Sequence, residues 1–247
     1  EHVRRRSEHT IRNYRHDLEG FLRFLAERET PYDEAGRTDG RSYLSALRNA
    51  SVGDGSVKRI ATTIRGFYGW LDNEGVELKN EPGDSMLRLR FPIPRKRLPK
   101  FLTTTEAEAL LAGADDGTPS GQRDRAILEL LYGAGLRVSE VADLDVRHLD
   151  LANRQVRVTG KGDKTRICLY GEPARDALRR YLEDGRTHLV KGAQAALFVN
   201  RSGGRLSARS IQTIVRNAGI QAALRQPVHP HMLRHSFATH LIEGNAD

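Results

Sequence analysis

Apolar residues recur at helical spacing from Ser7 onward. Ile11, Tyr14, Leu18, Phe21, Leu22 and Leu25 form one stripe, and Arg12, Arg15 and Arg23 fall off it. That period matches the 3.6-residue turn of an α-helix, and Ser7 offers a side-chain oxygen for the N-cap. Pro31 and Gly36 break the pattern before it resumes in a shorter helix from Thr38 through Tyr43, Leu44 and Leu47, closed by Gly53 and Gly55. A third apolar face, made of Val57, Ile60, Ala61, Ile64, Phe67 and Leu71, leaves Lys58, Arg59 and Arg65 on other sides. The first part of the chain therefore reads as all-helical.

Between Glu81 and Lys100 the periodicity stops at Pro82, Pro92, Pro94, Pro99 and the run Arg95-Lys96-Arg97. Proline has no amide proton and clashes inside a helix, so this stretch predicts a connector. The domains then read as 1–81 and 99–247, with a linker over 82–98. The basic run fits either a solvated connector or a strap across phosphates, and position alone leaves both open. Beyond it, Thr103 and Glu106 have the spacing of a capping box ahead of Ala107, Leu110 and Leu111. Arg125 to Tyr132 reads as a buried helix that stops at Gly133 and Gly135. Gln155 to Thr159 alternates like a strand, Gly160 to Asp163 is turn chemistry, and Arg166 to Leu169 returns as the partner of a β-hairpin. Helices fit Pro173 to Leu182, Ser207 to Asn217 and Met232 to Ile242. The expected fold is mainly α with a small β-sheet or hairpin.

Composition narrows the class of partner. The 247 residues are 38% hydrophobic and 29% charged, enough apolar material for two ordinary cores. The formal charge of +8 favours a polyanion, most simply nucleic acid, although an anionic membrane surface would attract it too. Up to Leu98 there are 19 basic and 15 acidic residues, and beyond it 21 and 17, so each part carries a net +4. Only seven of the 40 basic residues are lysine, and the planar guanidinium fork suits two phosphate oxygens at once. Arg12, Arg15, Lys58, Arg59, Arg65, Arg95, Lys96 and Arg97 are the expected DNA contacts.

The single cysteine, Cys168, excludes an internal disulfide and any Cys₂ or Cys₄ zinc site, and it fits a reducing, cytoplasmic setting. No run of about 18 apolar residues is long enough to span a bilayer, and Glu1 to Thr10 lacks the apolar centre of a signal peptide, so no membrane role is expected. The chain starts without Met and stops at Asp247 in a region that reads as ordered, so both ends are expected to be incomplete.

Three clusters carry candidate chemistry. Arg137, in Gly135-Leu136-Arg137-Val138-Ser139-Glu140, follows a helix stop and opens the next helix, where its guanidinium and backbone amides can meet one anion. Taken alone, this cluster reads better as an ordinary ion pair with Glu140, three residues on, although Glu140 could instead orient Arg137. Lys161, in Gly160-Lys161-Gly162-Asp163-Lys164, sits at a hairpin tip whose glycines permit close approach to another surface, although turn lysines are commonly just solvated. His231 and Arg234 share a helical face in the segment His231 to Leu241, so both can reach one phosphate. His235 and His240, beside Phe237, Ala238 and Leu241, read as partly buried histidines. No HExxH spacing and no Walker loop occurs, so neither a metal nor a nucleotide site is expected.

In this order and spacing the clusters resemble the tyrosine recombinase (phage integrase-like) family, most closely the bacterial Xer recombinases. SEHTIRNYRHDLEGFLRFL resembles the opening of the family's helical core-binding domain, GAGLRVSEV its first arginine motif, VTGKGDKTR its lysine hairpin and HPHMLRHSFATHL its His-x-x-Arg motif. The resemblance implies a two-domain, C-shaped clamp on duplex DNA. It places Arg137, Lys161, His231 and Arg234 on catalytic positions and Glu140 on a supporting one. It implies metal-free and cofactor-free strand cleavage and rejoining through a 3′-phosphotyrosyl link, with other protomers joining in a tetrameric synaptic complex on DNA. In the family the nucleophilic tyrosine follows the His-x-x-Arg motif. Tyr14, Tyr32, Tyr43, Tyr68, Tyr132, Tyr170 and Tyr181 all precede His231, so the catalytic domain is expected to lack its C-terminal segment and, alone, to be unable to cleave. A truncated relative that only occupies DNA sites and a type IB topoisomerase are the alternatives. The target site, and the choice among dimer resolution, plasmid resolution and integration, are not legible in one chain.

Overall fold

A computed structural model of the chain describes residues 8–80, 83–91, 101–160 and 164–244. The chain divides into two compact units, Glu1–Leu98 and Pro99–Asp247. Among the described residues the first unit is helical: α1 (Glu8–Ala26), α2 (Arg37–Asn49), α3 (Asp54–Asn73) and one 3₁₀ turn, Met86–Arg88. α1 and α2 pack on α3, and Phe21, Leu25, Leu44, Val57, Ile60, Ile64 and Tyr68 fill the space between them. The inward face of α1 differs from the expected stripe. Ile11 and Tyr14 are exposed and Asp17 is buried, because its carboxylate accepts hydrogen bonds from Arg59 and Thr63 of α3. On α3 it is Tyr68 rather than Phe67 that is fully enclosed, its hydroxyl donating to the Tyr32 carbonyl at 2.7 Å. Periodicity counts apolar positions, and here polar groups that find partners compete for the interior. Residues 83–91 fall in the expected connector, yet Met86 and Leu89 are buried in the first core.

The second unit comprises α4 (Thr104–Ala112), α5 (Pro119–Gly133), α6 (Val138–Ala142), strands β1 (Leu149–Asp150), β2 (Gln155–Thr159) and β3 (Thr165–Leu169), α7 (Glu172–Arg180), α8 (Arg186–Leu189), α9 (Ala208–Gln221) and α10 (Pro230–Glu243). The Thr103/Glu106 capping box forms as expected, with reciprocal bonds of 3.2 and 2.9 Å. α5 is the central element, buried at Ile127, Leu128, Leu130 and Leu131 and packed against α4, α6, α7, α9 and α10. The expected hairpin is present as β2 and β3, antiparallel with Val158 opposite Arg166, and β1 adds a short third strand. No helix among the described residues is long and apolar enough to cross a membrane.

Candidate active site

The site is built on the turn between α5 and α6. Gly135 holds this turn with φ of +58°, and Phe237 of α10 lies so close that a Cβ on Gly135 would approach its ring to 2.5 Å. Glycine meets both demands, a left-handed backbone and no side chain. Arg234, also on α10, donates from Nη1 to the Gly135 carbonyl. Arg137 is only two residues further along and serves as the N-cap residue of α6, so its Cα is no more than about 7.6 Å from that of Gly135. The structure thus brings Arg137 and Arg234 to one turn from positions almost a hundred residues apart. His231 is exposed and lies one helical turn before Arg234, outside the arc of α10 buried at Met232, Leu233 and Ser236.

Glu140 sits beneath this turn and is 4% exposed. Its Oε2 accepts from the Arg137 backbone N–H at 2.9 Å, and its Oε1 accepts from Arg137 Nη1 at 2.9 Å. Both readings of this pair from sequence therefore coexist: it is an ion pair, and it fixes the arginine. The second guanidinium was not expected. Arg166 of β3 donates Nη1 to Oε1 at 2.9 Å and Nη2 to Oε2 at 2.8 Å. Burial alone would raise the Glu140 carboxyl, but the bonds from Arg166 and from the Arg137 backbone and side chain outweigh it and hold the pKa at about 2. A signal for Arg166 was available. Val156 and Val158 face the core, so their cross-strand partners Cys168 and Arg166 share that face, and an inward arginine demands a carboxylate.

The other expected residues divide. Lys161 lies outside the described residues, as do Arg95, Lys96 and Arg97. The base of its hairpin is described, where Gly160 N–H donates to the Lys164 carbonyl at 2.9 Å. Gly160 is close to the Arg137 cluster, since a Cβ there would lie 3.3 Å from Arg166 Nη1 and 3.8 Å from Glu140 Oε1. In the first unit Arg12 and Arg15 are exposed. Lys58 and Arg65 line one recess of about 280 Å³ together with Arg90, a third cation that sequence reasoning missed. Arg59 is engaged by the buried Asp17. His240 is half-buried and shares a 2.8 Å hydrogen bond with the Tyr132 hydroxyl, as its setting predicted. His235 is exposed, a correction that follows from its place outside the buried arc of α10. The described residues hold no cluster of three or more metal-ligating side chains.

Guanidinium groups gathered at a helix start, over a buried and balanced carboxylate, make a site for an oxyanion. The phage integrase family model matches residues 100–247, and the model of the phage integrase N-terminal SAM-like domain matches residues 1–75. The chain belongs to the phage integrase family. It is 40% identical over 246 residues to tyrosine recombinase XerC of Oceanobacillus iheyensis, an alignment that covers 98% of this chain and 79% of that protein. It is 40% identical over 253 residues to tyrosine recombinase XerD of Mycobacterium tuberculosis, covering 96% and 80%. In fold it is similar to the XerH site-specific recombinase bound to a palindromic difH substrate, with a TM-score of 0.77, 23% identity and coverage of 96% of this chain and 70% of that one.

Proposed function

We propose that this chain supplies the DNA-binding surface and the phosphate-activating residues of a Xer-like site-specific recombinase, acting on double-stranded DNA together with further recombinase protomers. The observation that carries the reading is the anchoring of Arg137 and Arg234 on the single turn at Gly135. In this reading the two guanidiniums bind the non-bridging oxygens of the scissile phosphate and balance the charge that builds in the transition state. His231 assists by hydrogen bonding or proton transfer, and Lys161 is the general acid that protonates the departing 5′ oxygen. Attack of a tyrosine hydroxyl on phosphorus expels that oxygen and leaves a 3′-phosphotyrosyl bond. A 5′ hydroxyl from another strand then reverses the step and completes exchange. Lys58, Arg65 and Arg90 bind phosphates along the flanking duplex, and no metal or cofactor takes part.

None of the seven tyrosines in the 247 residues is assigned as nucleophile. Tyr43, Tyr68, Tyr170 and Tyr181 are buried, Tyr132 engages His240, and Tyr14 and Tyr32 belong to the first unit. The test is a nicked suicide duplex carrying the recombination site, analysed on a denaturing gel. The full-length protein is expected to give a covalent protein–DNA band, and these 247 residues alone none. A strong band from the 247 residues would assign the nucleophile to one of the seven. Plasmid relaxation without strand exchange by the full-length protein would replace the recombinase reading with a topoisomerase.

A further inference from the structure

We propose that Arg166 is a positioning residue for strand cleavage, which keeps the Arg137 site net cationic by sharing Glu140 with it. The inference rests on the assignment of Arg137 as a phosphate ligand. Glu140 is an anion with its side chain 3% exposed, and Arg137 and Arg166 are its two cationic partners among the described residues. With both in place the cluster carries one carboxylate and two guanidiniums, a net +1. Without Arg166 the Arg137–Glu140 pair would be neutral, so of the described cations at this turn only Arg234 would still attract an incoming phosphodiester.

The geometry divides the labour in the same way. Arg166 makes the two-pronged contact, one nitrogen to each carboxylate oxygen. Arg137 engages Glu140 through Nη1 alone, and its side chain is 51% exposed, so Nε and Nη2 can turn to a ligand. Arg166 therefore takes up the carboxylate that would otherwise compete with DNA for Arg137. It also pins β3, and the Gly160 end of the hairpin beside it, against the start of α6. A residue that acts only through another group in this way changes rate through charge and orientation, and not by touching the reacting atoms.

The experiment compares the unsubstituted full-length protein with Arg166→Met, Arg166→Lys and the double variant Glu140→Gln/Arg166→Met in single-turnover cleavage of the suicide duplex at saturating protein. Arg166→Met is expected to slow cleavage about 10- to 100-fold while duplex affinity stays within about threefold. Arg166→Lys keeps the charge and should fall between the two. The double variant removes both the carboxylate and its second partner, returns the cluster to net +1 and should recover at least about fivefold over Arg166→Met. A packing role alone predicts no gain from the second substitution. Cleavage by Arg166→Met within about threefold of the unsubstituted rate overturns the proposal, as does a slow Arg166→Met that neither Arg166→Lys nor the double variant improves. A second readout needs no cleavage, namely titration of the Arg137 Nε–H NMR signal with inorganic phosphate. Weaker binding in Arg166→Met, regained in the double variant, supports the role of Arg166 even if the unsubstituted protein forms no adduct, an outcome that would sink the recombinase reading alone. Equal phosphate affinity in all the proteins overturns the proposal for Arg166.

Discussion

Gly135 concentrates two constraints in one position, and replacing it should be costly. Alanine would have to adopt φ of +58° and place its Cβ against the Phe237 ring. The left-handed backbone costs about 1–2 kcal/mol for a residue with a Cβ, and the overlap adds about 1–3 kcal/mol unless α10 shifts. Gly135→Ala is expected to lower the stability of the second unit by roughly 2–5 kcal/mol in urea unfolding and to weaken phosphate capture, because Arg234 and Arg137 both take their position from this turn. Glu140 gives a test in pH. Its folded pKa of about 2 lies below the ordinary 4.5, so its contribution is complete above the unfolded value and is lost as pH falls from about 4.5 towards 2. The difference in unfolding free energy between the unsubstituted protein and Glu140→Gln should shrink across that window, by roughly 2–3 kcal/mol. A difference that stays constant with pH would mean that Glu140 is not held ionised by its two arginines.

At the level of elements, α10 is tied to the start of its unit by one buried hydroxyl. Ser236 Oγ accepts from Leu102 N–H at 2.8 Å and donates to the Met232 carbonyl at 2.9 Å, and Ser236 and Leu102 are both fully buried. Ser236→Ala strands the Leu102 amide, and an unsatisfied buried donor costs about 1–3 kcal/mol. Faster amide exchange at Leu102 and along α10, with a loss of that size in stability, is the expected result. The helices and the strands were legible in the sequence because their signals are local: the Thr103/Glu106 spacing fixes the start of α4, and the alternation from Gln155 to Thr159 marks β2. What escaped depends on partners distant in the chain. Ser236 reads as an ordinary helix residue until Leu102 is placed beside it. Asp17 reads as a surface charge until Arg59 and Thr63 reach it from α3. The site followed the same rule, since Arg137, Glu140 and Arg234 stand out by motif, whereas Arg166 belongs to it only through the pairing of β3 with β2. β1, two residues long, is too short to leave a period.

At the scale of the whole molecule, a net +4 on each part says that DNA binding should be strongly salt-dependent, but it does not say which cations contribute. Many are already engaged: Arg37 pairs with Asp84, Arg125 with Glu129, Arg180 with Asp115 and Arg205 with Asp145. An arginine that neutralises a carboxylate of its own protein releases few counterions from DNA, so the slope of log affinity against log salt should count the unpaired cations and not the formal charge. In the first unit Lys58, Arg65 and Arg90 are exposed, line one recess and form no ion pair among the described residues, whereas Arg59, their neighbour in sequence, is held by Asp17. Changing Lys58, Arg65 and Arg90 together to alanine should therefore reduce the salt slope by up to about 2.7, taking about 0.9 for each phosphate no longer neutralised, and leave unfolding almost unchanged. Arg59→Ala should do the opposite. It leaves Asp17 buried without its cation, so the first unit loses about 3 kcal/mol or more, with little change in salt slope under conditions where it remains folded. The measurement is fluorescence anisotropy of a labelled duplex at four or five salt concentrations, paired with urea unfolding of each variant. If Arg59→Ala flattens the slope as much as the triple variant does, the ion pair with Asp17 opens on DNA and the division between structural and DNA-binding cations fails.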